Sequence, residues 1–303
     1  MRMGDLSSSR LTSRRSVLLG ASTLAMGALG ACGRKDADKA TPDAPAGPPE
    51  GSLEWAVAGP WRSPQDRARD AWRHPMETLR FFGLQPRMTV VEFWPGSGWY
   101  TDILAPYLNE GGGQYYAAGF QTGPGADPAQ MALMTAYRRR FEEDRRRYGE
   151  IQFTAFGLYS GPVAPAGTVD MALFMRGIHA WMAAGIAEKA FRDAYEALRP
   201  GGILGIEQHR LGPEEDQDPA AANGYVQEAF VKQLAAEAGF VFVASSEINA
   251  NETDTKDHPF GVDTLLPTRK SQEGERVLTP EERAELDAIG ESDRMTLKFR
   301  KPE

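Results

Sequence analysis

What most constrains this chain is a repeated switch between two hydrophobic periods. From Met88 onward, short apolar runs of strand length alternate with longer segments whose apolar residues recur every three or four positions. "MTVVEF" predicts a first strand, and "YTDILAPYLNEGGG" a helix that stops at glycines. "QYYAAGF", "IQFTAF", "TVDMALFM", "ILGIEQH" and "FVFVASSEI" predict further strands, and "RMTLKFRK" alternates as a last one. Between them, "AEKAFRDAYEALRPGG" sets Ala187, Ala190, Phe191, Ala194, Tyr195 and Leu198 on one helical face. Strands joined by helix-length crossovers require an α/β architecture, a mostly parallel sheet with helices on both faces. Upstream, Ser63-Pro64 with Asp66 reads as a capped helix start, Pro75 as a break, and Gly83 as the end of the second piece.

The N-terminal segment obeys neither period. "SRRSVLLGASTLAMGALGAC" (Ser13 to Cys32) sets Arg14-Arg15 before an apolar run too short to span a bilayer. It looks like a twin-arginine export signal, and Leu29-Gly30-Ala31-Cys32 resembles a lipobox. An uncleaved anchor is the other reading. The expected organisation is a signal peptide over 1–31, a flexible Pro/Ala/Asp-rich tether over 32–54 and one domain over 55–303. Lipidation at Cys32 would hold the domain at a membrane on the periplasmic side. Cys32 is the only cysteine, so once lipidated it leaves no disulfide, no thiol nucleophile and no thiolate ligand.

With 42 acidic against 34 basic residues, the chain is a poor partner for nucleic acid. The arginine-rich run Tyr137 to Glu150 interleaves acids at helical spacing and reads as a solvated helix face.

In a parallel sheet, ligands collect beyond the carboxyl ends of the strands. Gly96-Ser97-Gly98 opens a helix just after the first strand, where backbone N–H groups can approach a ligand. No third glycine stands at Thr101 and no Gly-Lys-Ser/Thr follows, which excludes the dinucleotide fingerprint and the P-loop. Taken with "ALRPGGILGI" and the final helix, strand, excursion and strand, these residues resemble the class I S-adenosylmethionine-dependent methyltransferases over Trp55 to Lys301. "VVEFWPGSGWYT", "INAN" and "GESDRMTLKFRKP" look more closely like a bacterial group of predicted methyltransferases. The resemblance implies a Rossmann-like sheet with its last strand antiparallel between the fifth and sixth. It also implies an S-adenosylmethionine loop made of Glu92, Phe93, Pro95, Gly96, Ser97 and Gly98. Two departures stand out: Trp94 replaces the family's first glycine, and only Gln121 occupies the place of the ribose-gripping acid. The Trp94 ring either turns away from the adenosine hollow or fills it.

His74, His179, His209 and His258 all fall in predicted loops or strand ends, accompanied by Glu207, Glu247 and Asp257. His179 and His209 follow the fourth and fifth strands, so they are the candidate catalytic bases for an acceptor proton. Metal-assisted hydrolysis is a weaker reading, because no tight His-x-x-x-His spacing exists and no metal site is expected. Loop histidines held by ordinary hydrogen bonds are the bland alternative. Trp72, Trp99, Tyr100 and Trp181 either pack or line a pocket. "INANETDTKDHPFGVDTLLPTR" is expected to form a lid, Thr279 to Glu282 a capping box, and Gly290 to Arg294 a specific turn.

These residues support methyl transfer to an unidentified small molecule, or a methyltransferase-like sheet retained as a ligand-binding lipoprotein. Cytoplasmic supply of the methyl donor weighs against the first for an exported protein.

Overall fold

The computed structural model describes residues 47–123 and 126–303. The expected signal segment, the Cys32 lipidation position and most of the expected tether lie outside those residues. The short helices α1 (Leu53–Val57), α2 (Pro64–Ala68), α3 (Asp70–Arg73) and α4 (Pro75–Phe82) precede β1 (Thr89–Phe93). Next come α5 (Thr101–Gly111), β2 (Gln114–Phe120), α6 (Pro128–Glu142), α7 (Arg145–Tyr148) and β3 (Gln152–Phe156). Then follow β4 (Val169–Met175), α8 (Ile178–Ala183), α9 (Ala187–Ala197), β5 (Leu198–His209), α10 (Glu228–Glu237) and β6 (Val241–Ser246). The excursion after β6 carries β7 (Pro259–Val262), the small hairpin β8 (Gln272–Glu273) and β9 (Arg276–Val277), and α11 (Pro280–Ile289), before β10 (Arg294–Arg300). None of these helices is long and apolar enough to cross a membrane.

The main sheet has seven strands in the order β3-β2-β1-β4-β5-β10-β6. All its pairings are parallel except those of β10, which runs antiparallel between β5 and β6, as expected. The chain builds outward from β1 through β2 to β3, then returns to lay β4 on the other side of β1. That reversal places the switch-point crevice at the carboxyl ends of β1 and β4.

Local sequence accounts for several element ends. The Ser63 hydroxyl accepts from Asp66 N at 3.0 Å and starts α2. His74 takes the left-handed conformation (φ 38°) between α3 and α4, breaking the helix at Pro75 as anticipated. Thr279 and Glu282 form the reciprocal capping box of α11. In α6, Tyr137 and Phe141 are buried and Arg138 and Arg139 are exposed as a solvated face, while Arg140 turns back to the buried Asp102 and donates to Ser97 O at 3.1 Å.

Two cores sandwich the sheet. One joins Val91, Phe93 and Phe174 to Trp181, Phe191 and Ala194 on the α8–α9–α10 side. The other joins Val90 and Leu173 to Leu79, Phe82, Ile103 and Leu104 on the α1–α4–α5 side. Alternation along β1 therefore sends Glu92 to the second side, with Val90.

Candidate functional site

Chemistry at the strand ends divides into a glycine loop above β1 and a polar rim above β4 and β5. In the loop, Trp94 adopts φ 48°, a left-handed conformation that costs a non-glycine residue roughly 1–2 kcal/mol. Its backbone N–H donates to Ala118 O at 2.8 Å. The indole then crosses the ends of the neighbouring strands. Its Nε1–H donates to Phe156 O at 2.9 Å, its ring lies 4.5 Å from that of Phe120, and Trp181 stands edge-on at 5.9 Å. Phe120 ends β2, Phe156 ends β3, and Trp181 belongs to the helix after β4, so the indole spans the ground between them.

The predicted cofactor residues are dispersed around this ring. Phe93 is buried and packs against Phe156, Phe174 and Trp181, so it belongs to the core rather than to a hollow. Pro95 is buried as well, and Ser97 is exposed. Gly96 (φ 60°) has open space where a Cβ would project, whereas a Cβ on Gly98 would lie 2.4 Å from the Phe141 ring. Thus one glycine faces solvent and the other is required by packing.

Glu92 corrects the sequence expectation. Its carboxylate is buried beneath the sheet and accepts from the Tyr115 hydroxyl at 2.5 Å, turned away from the loop's open side. Thr101 Oγ1 links Tyr115 and Tyr137 at 3.1 and 2.8 Å, completing a buried chain of hydroxyls. Burial pushes the Glu92 carboxyl up to about 7, against weaker lowering by Tyr115 and Arg176. The folded state thus retains a proton that the unfolded state releases near 4.5. Stability from this group is complete below about pH 4.5 and is lost as pH rises through about 7, a change on the order of 3 kcal/mol. Urea unfolding at pH 5 and pH 8 should show Glu92→Gln gaining on the wild type at the higher pH. An unchanged difference would count against a buried, protonated Glu92.

The rim is assembled from four chain segments. Register places Met175 beside Glu207 and Arg294 beside His209. Glu207 is fully buried, accepting from Arg176 Nη1 at 2.9 Å and the Tyr100 hydroxyl at 3.1 Å, with Arg294 Nη1 at 3.0 Å. Burial alone would raise its pKa, but the guanidinium groups of Arg176, Arg294 and Arg73 hold it below the usual range. Glu291 is the second shared carboxylate, bonded by Arg69, Arg73 and Arg294. Despite burial, those charges and Arg176 bring it to about 2.

His179 and His209, predicted from separate strand ends, meet here with ring centroids 5.3 Å apart. Gln208 Oε1 accepts from Ile178 N at 3.1 Å, which turns its amide nitrogen toward His179 Nδ1 at 3.2 Å. His179 Nδ1 must then accept, so its neutral ring carries hydrogen on Nε2. His209 Nδ1 lies 2.6 Å from the buried Ser292 hydroxyl. Burial lowers both histidine pKa values, and for His209 the neighbouring His179, Arg294, Arg176 and Arg73 lower it further. Both rings are therefore uncharged near neutrality, and His179, with Nδ1 taken by Gln208, presents its Nε2–H as a donor.

The other predicted polar residues lie elsewhere. His258 bonds Asp254 at 2.7 Å, the Thr255 hydroxyl donates to Asp257 at 2.5 Å, and Glu247 pairs with Arg210 at the surface. His74 sits in the turn before α4. Trp99, Tyr100 and Trp181 are packed, and Trp72 lies against Gly290, where a Cβ would come within 2.3 Å of the ring. The expected lid is pinned as a wall: Asn251 bonds Ile289 O, Glu291 O and Asp293, and Tyr225 bonds Asp254 beneath it. Among the described residues no three His, Cys, Asp or Glu side chains converge to hold a metal ion. Sequence reasoning missed Arg176, Ser292 and Arg294; the compact Gly290–Arg294 turn was the only local signal for the last two.

An adenosyl group is not matched by these residues. The indole occupies the space over β2 and β3, and Gln121, at the β2 end, is engaged with Tyr159 N at 3.0 Å. A cavity of about 870 Å³ lies to one side, between α6 and β2–β3, and contains none of the predicted site residues.

No protein-family model and no curated protein sequence matches the chain. Among solved structures, it is similar to a candidate sarcosine dimethylglycine methyltransferase from Galdieria sulphuraria at 14% identity and TM-score 0.50, over 78% of this chain and 86% of that one. It is also similar to an S-adenosylmethionine-dependent methyltransferase from Aquifex aeolicus at 18% identity and TM-score 0.48, over 60% and 87% of the two chains. The seven-stranded order, with β10 antiparallel between β5 and β6, is that of the Rossmann-like methyltransferase fold, and at 14% identity the likeness concerns fold alone.

Proposed function

We propose that this chain uses a methyltransferase-type sheet to bind a small molecule at the Arg176–His179–His209 rim, without an adenosyl cofactor seated over β1–β3. The observation that carries this reading is the Trp94 indole, bonded to Phe156 O and packed on Phe120 across the adenosine ground. A ligand there would have to break that bond, expel the ring and find another partner for the Phe156 carbonyl. With Nδ1–H donated to Ser292, His209 turns a neutral Nε2 to the rim, an oriented acceptor but a weak base, because burial and the neighbouring guanidinium groups hold its pKa low.

Calorimetry with S-adenosylmethionine tests the reading. No heat of binding is expected up to about 1 mM, whereas the notional micromolar affinity of a working cofactor site would correspond to about −8 kcal/mol. Micromolar binding by the wild type would restore methyl transfer as the better account.

Export and lipidation at Cys32 form part of the same proposal, supported by the arginine pair, the apolar run and the lipobox-like residues. On this reading the domain faces the periplasm on a lipid anchor. Fractionation of the full chain should find it with membranes and Cys32→Ala released from them; an unchanged distribution would reject the anchor.

A further inference from the structure

We propose that the rim formed by Arg176, His179 and His209 takes the anionic end, a carboxylate or a phosphate, of its small-molecule ligand. The inference rests on the rim being the working surface and adds the chemical class that it recognises.

Charge balance is the first ground. Arg73 and Arg294 are buried, Arg176 keeps only 14% side-chain exposure, and Arg69 reaches the same group. These four guanidinium groups share three carboxylates, Glu207, Glu291 and, through Arg69, Asp66 at 3.9 Å. Asp254 and Asp293, behind Tyr225, are engaged by His258, Arg210 and Lys256. Around Glu207 and Glu291 the four arginines thus exceed their carboxylates by one positive charge, with Asp263 bearing on His179, in a chain whose net charge is −8. In a weakly screened interior such a surplus is costly, and an arriving anion offsets it.

The second ground is geometry. Arg176 sits in the left-handed region (φ 64°), its own N–H tied to Glu207 O at 2.7 Å. A strained non-glycine residue held at a strand end is characteristic of positions where a side chain must be presented in one direction. Only Nη1 is used by Glu207, and Nε and Nη2 have no partner among the described residues. A guanidinium with donors to spare is suited to a planar carboxylate or a phosphate. The two imidazoles come from the same strand ends, His179 from the first turn of α8 and His209 two residues after Glu207 on β5, with Asp263 also bearing on His179. His179 offers its Nε2–H as a further donor, because Gln208 occupies Nδ1.

The third ground is fixation. Gln208 sets His179, Ser292 sets His209, and Glu207 sets Arg176; Gln208, Ser292 and Glu207 are all buried. A group bound by Arg176 would have its neighbouring hydroxyl or amine delivered to an imidazole already turned to receive it.

Side-chain imidazole NMR of the full chain, titrated with inorganic phosphate and separately with acetate at constant ionic strength, tests this. Saturable shifts are expected at His179 and His209 but not at His74, with millimolar midpoints for such minimal probes. The stronger of the two anions identifies the head group. Both imidazole pKa values should rise on saturation, because a bound anion favours the protonated ring. Arg176→Gln should weaken the response at least tenfold, and Arg176→Lys less. Unsaturable wild-type shifts, or shifts equally produced by chloride, overturn the proposal whatever the variants do. A folded Arg176→Gln with undiminished response also overturns it. The S-adenosylmethionine titration is independent, so the anion proposal can fail while the reading of Trp94 stands.

Discussion

Glu207→Ala should destabilise the protein by about 3–5 kcal/mol, the range for removing one partner of a buried ion pair. The carboxylate has no exposure and serves Arg176, Arg294 and Tyr100 at once. Alanine leaves two guanidinium groups and a phenol facing a void that supplies neither charge nor acceptor. Arg176 is the more damaging orphan, since Glu207 is its only carboxylate partner, whereas the buried Arg294 keeps Glu291. Each kcal/mol lowers the melting temperature by roughly 2–4 °C in a domain of this size, so a drop of about 10 °C is expected. Glu207→Gln keeps an acceptor for Tyr100 or one arginine and should fall between alanine and wild type. Urea unfolding of both variants checks the order. An alanine variant within 1 kcal/mol of wild type would mean that the arginines are solvated rather than dependent on this carboxylate.

Trp94→Gly carries the second large effect. Removing a packed indole costs about 3–5 kcal/mol through lost burial and the remaining cavity. Glycine recovers roughly 1 kcal/mol, since φ 48° suits it and strains tryptophan. A net loss near 3 kcal/mol is therefore expected, well above that of a surface substitution. The same change frees Phe156 O and uncovers the Phe120 and Trp181 rings, leaving an aromatic-walled hollow where the indole lay. The variant should bind adenosine and S-adenosylmethionine measurably, at least tenfold more tightly than the wild type. Affinity should remain modest, because no acid at the end of β2 grips a ribose. If stability and affinity both stay at wild-type values, the indole does not fill the hollow.

These expectations show where local sequence sufficed. The alternation of periods two and 3.6 is written in each segment, so strands, crossovers and the helical face of Ala187, Ala190, Phe191 and Ala194 could be read without coordinates. Tyr195, however, is only half-buried, and Leu198, expected on that face, opens β5 instead. Caps at Ser63 and Thr279 depend on residues three apart and were equally legible. The carboxyl-end rule brought His179 and His209 to one rim, because strand direction follows from the crossovers.

Side-chain direction and distant pairing were not legible. Period two fixes that Glu92 and Phe93 face opposite ways, yet only packing decides which way is toward a ligand; one face held Tyr115 and the other Trp181. Trp94 could turn either way until Phe120 and Phe156 O supplied a ring face and an acceptor. The Gly290–Arg294 turn acquired meaning only when β10 entered between β5 and β6, setting Ser292 against His209 and Arg294 against Glu207. Sequence alone determined the elements and the edge of the sheet where chemistry could gather, because periodicity and crossover direction are properties of short segments. Tertiary structure alone decided which groups face one another there, because burial makes unpaired charge costly and pairing across tens of residues exists only once the strands are in register.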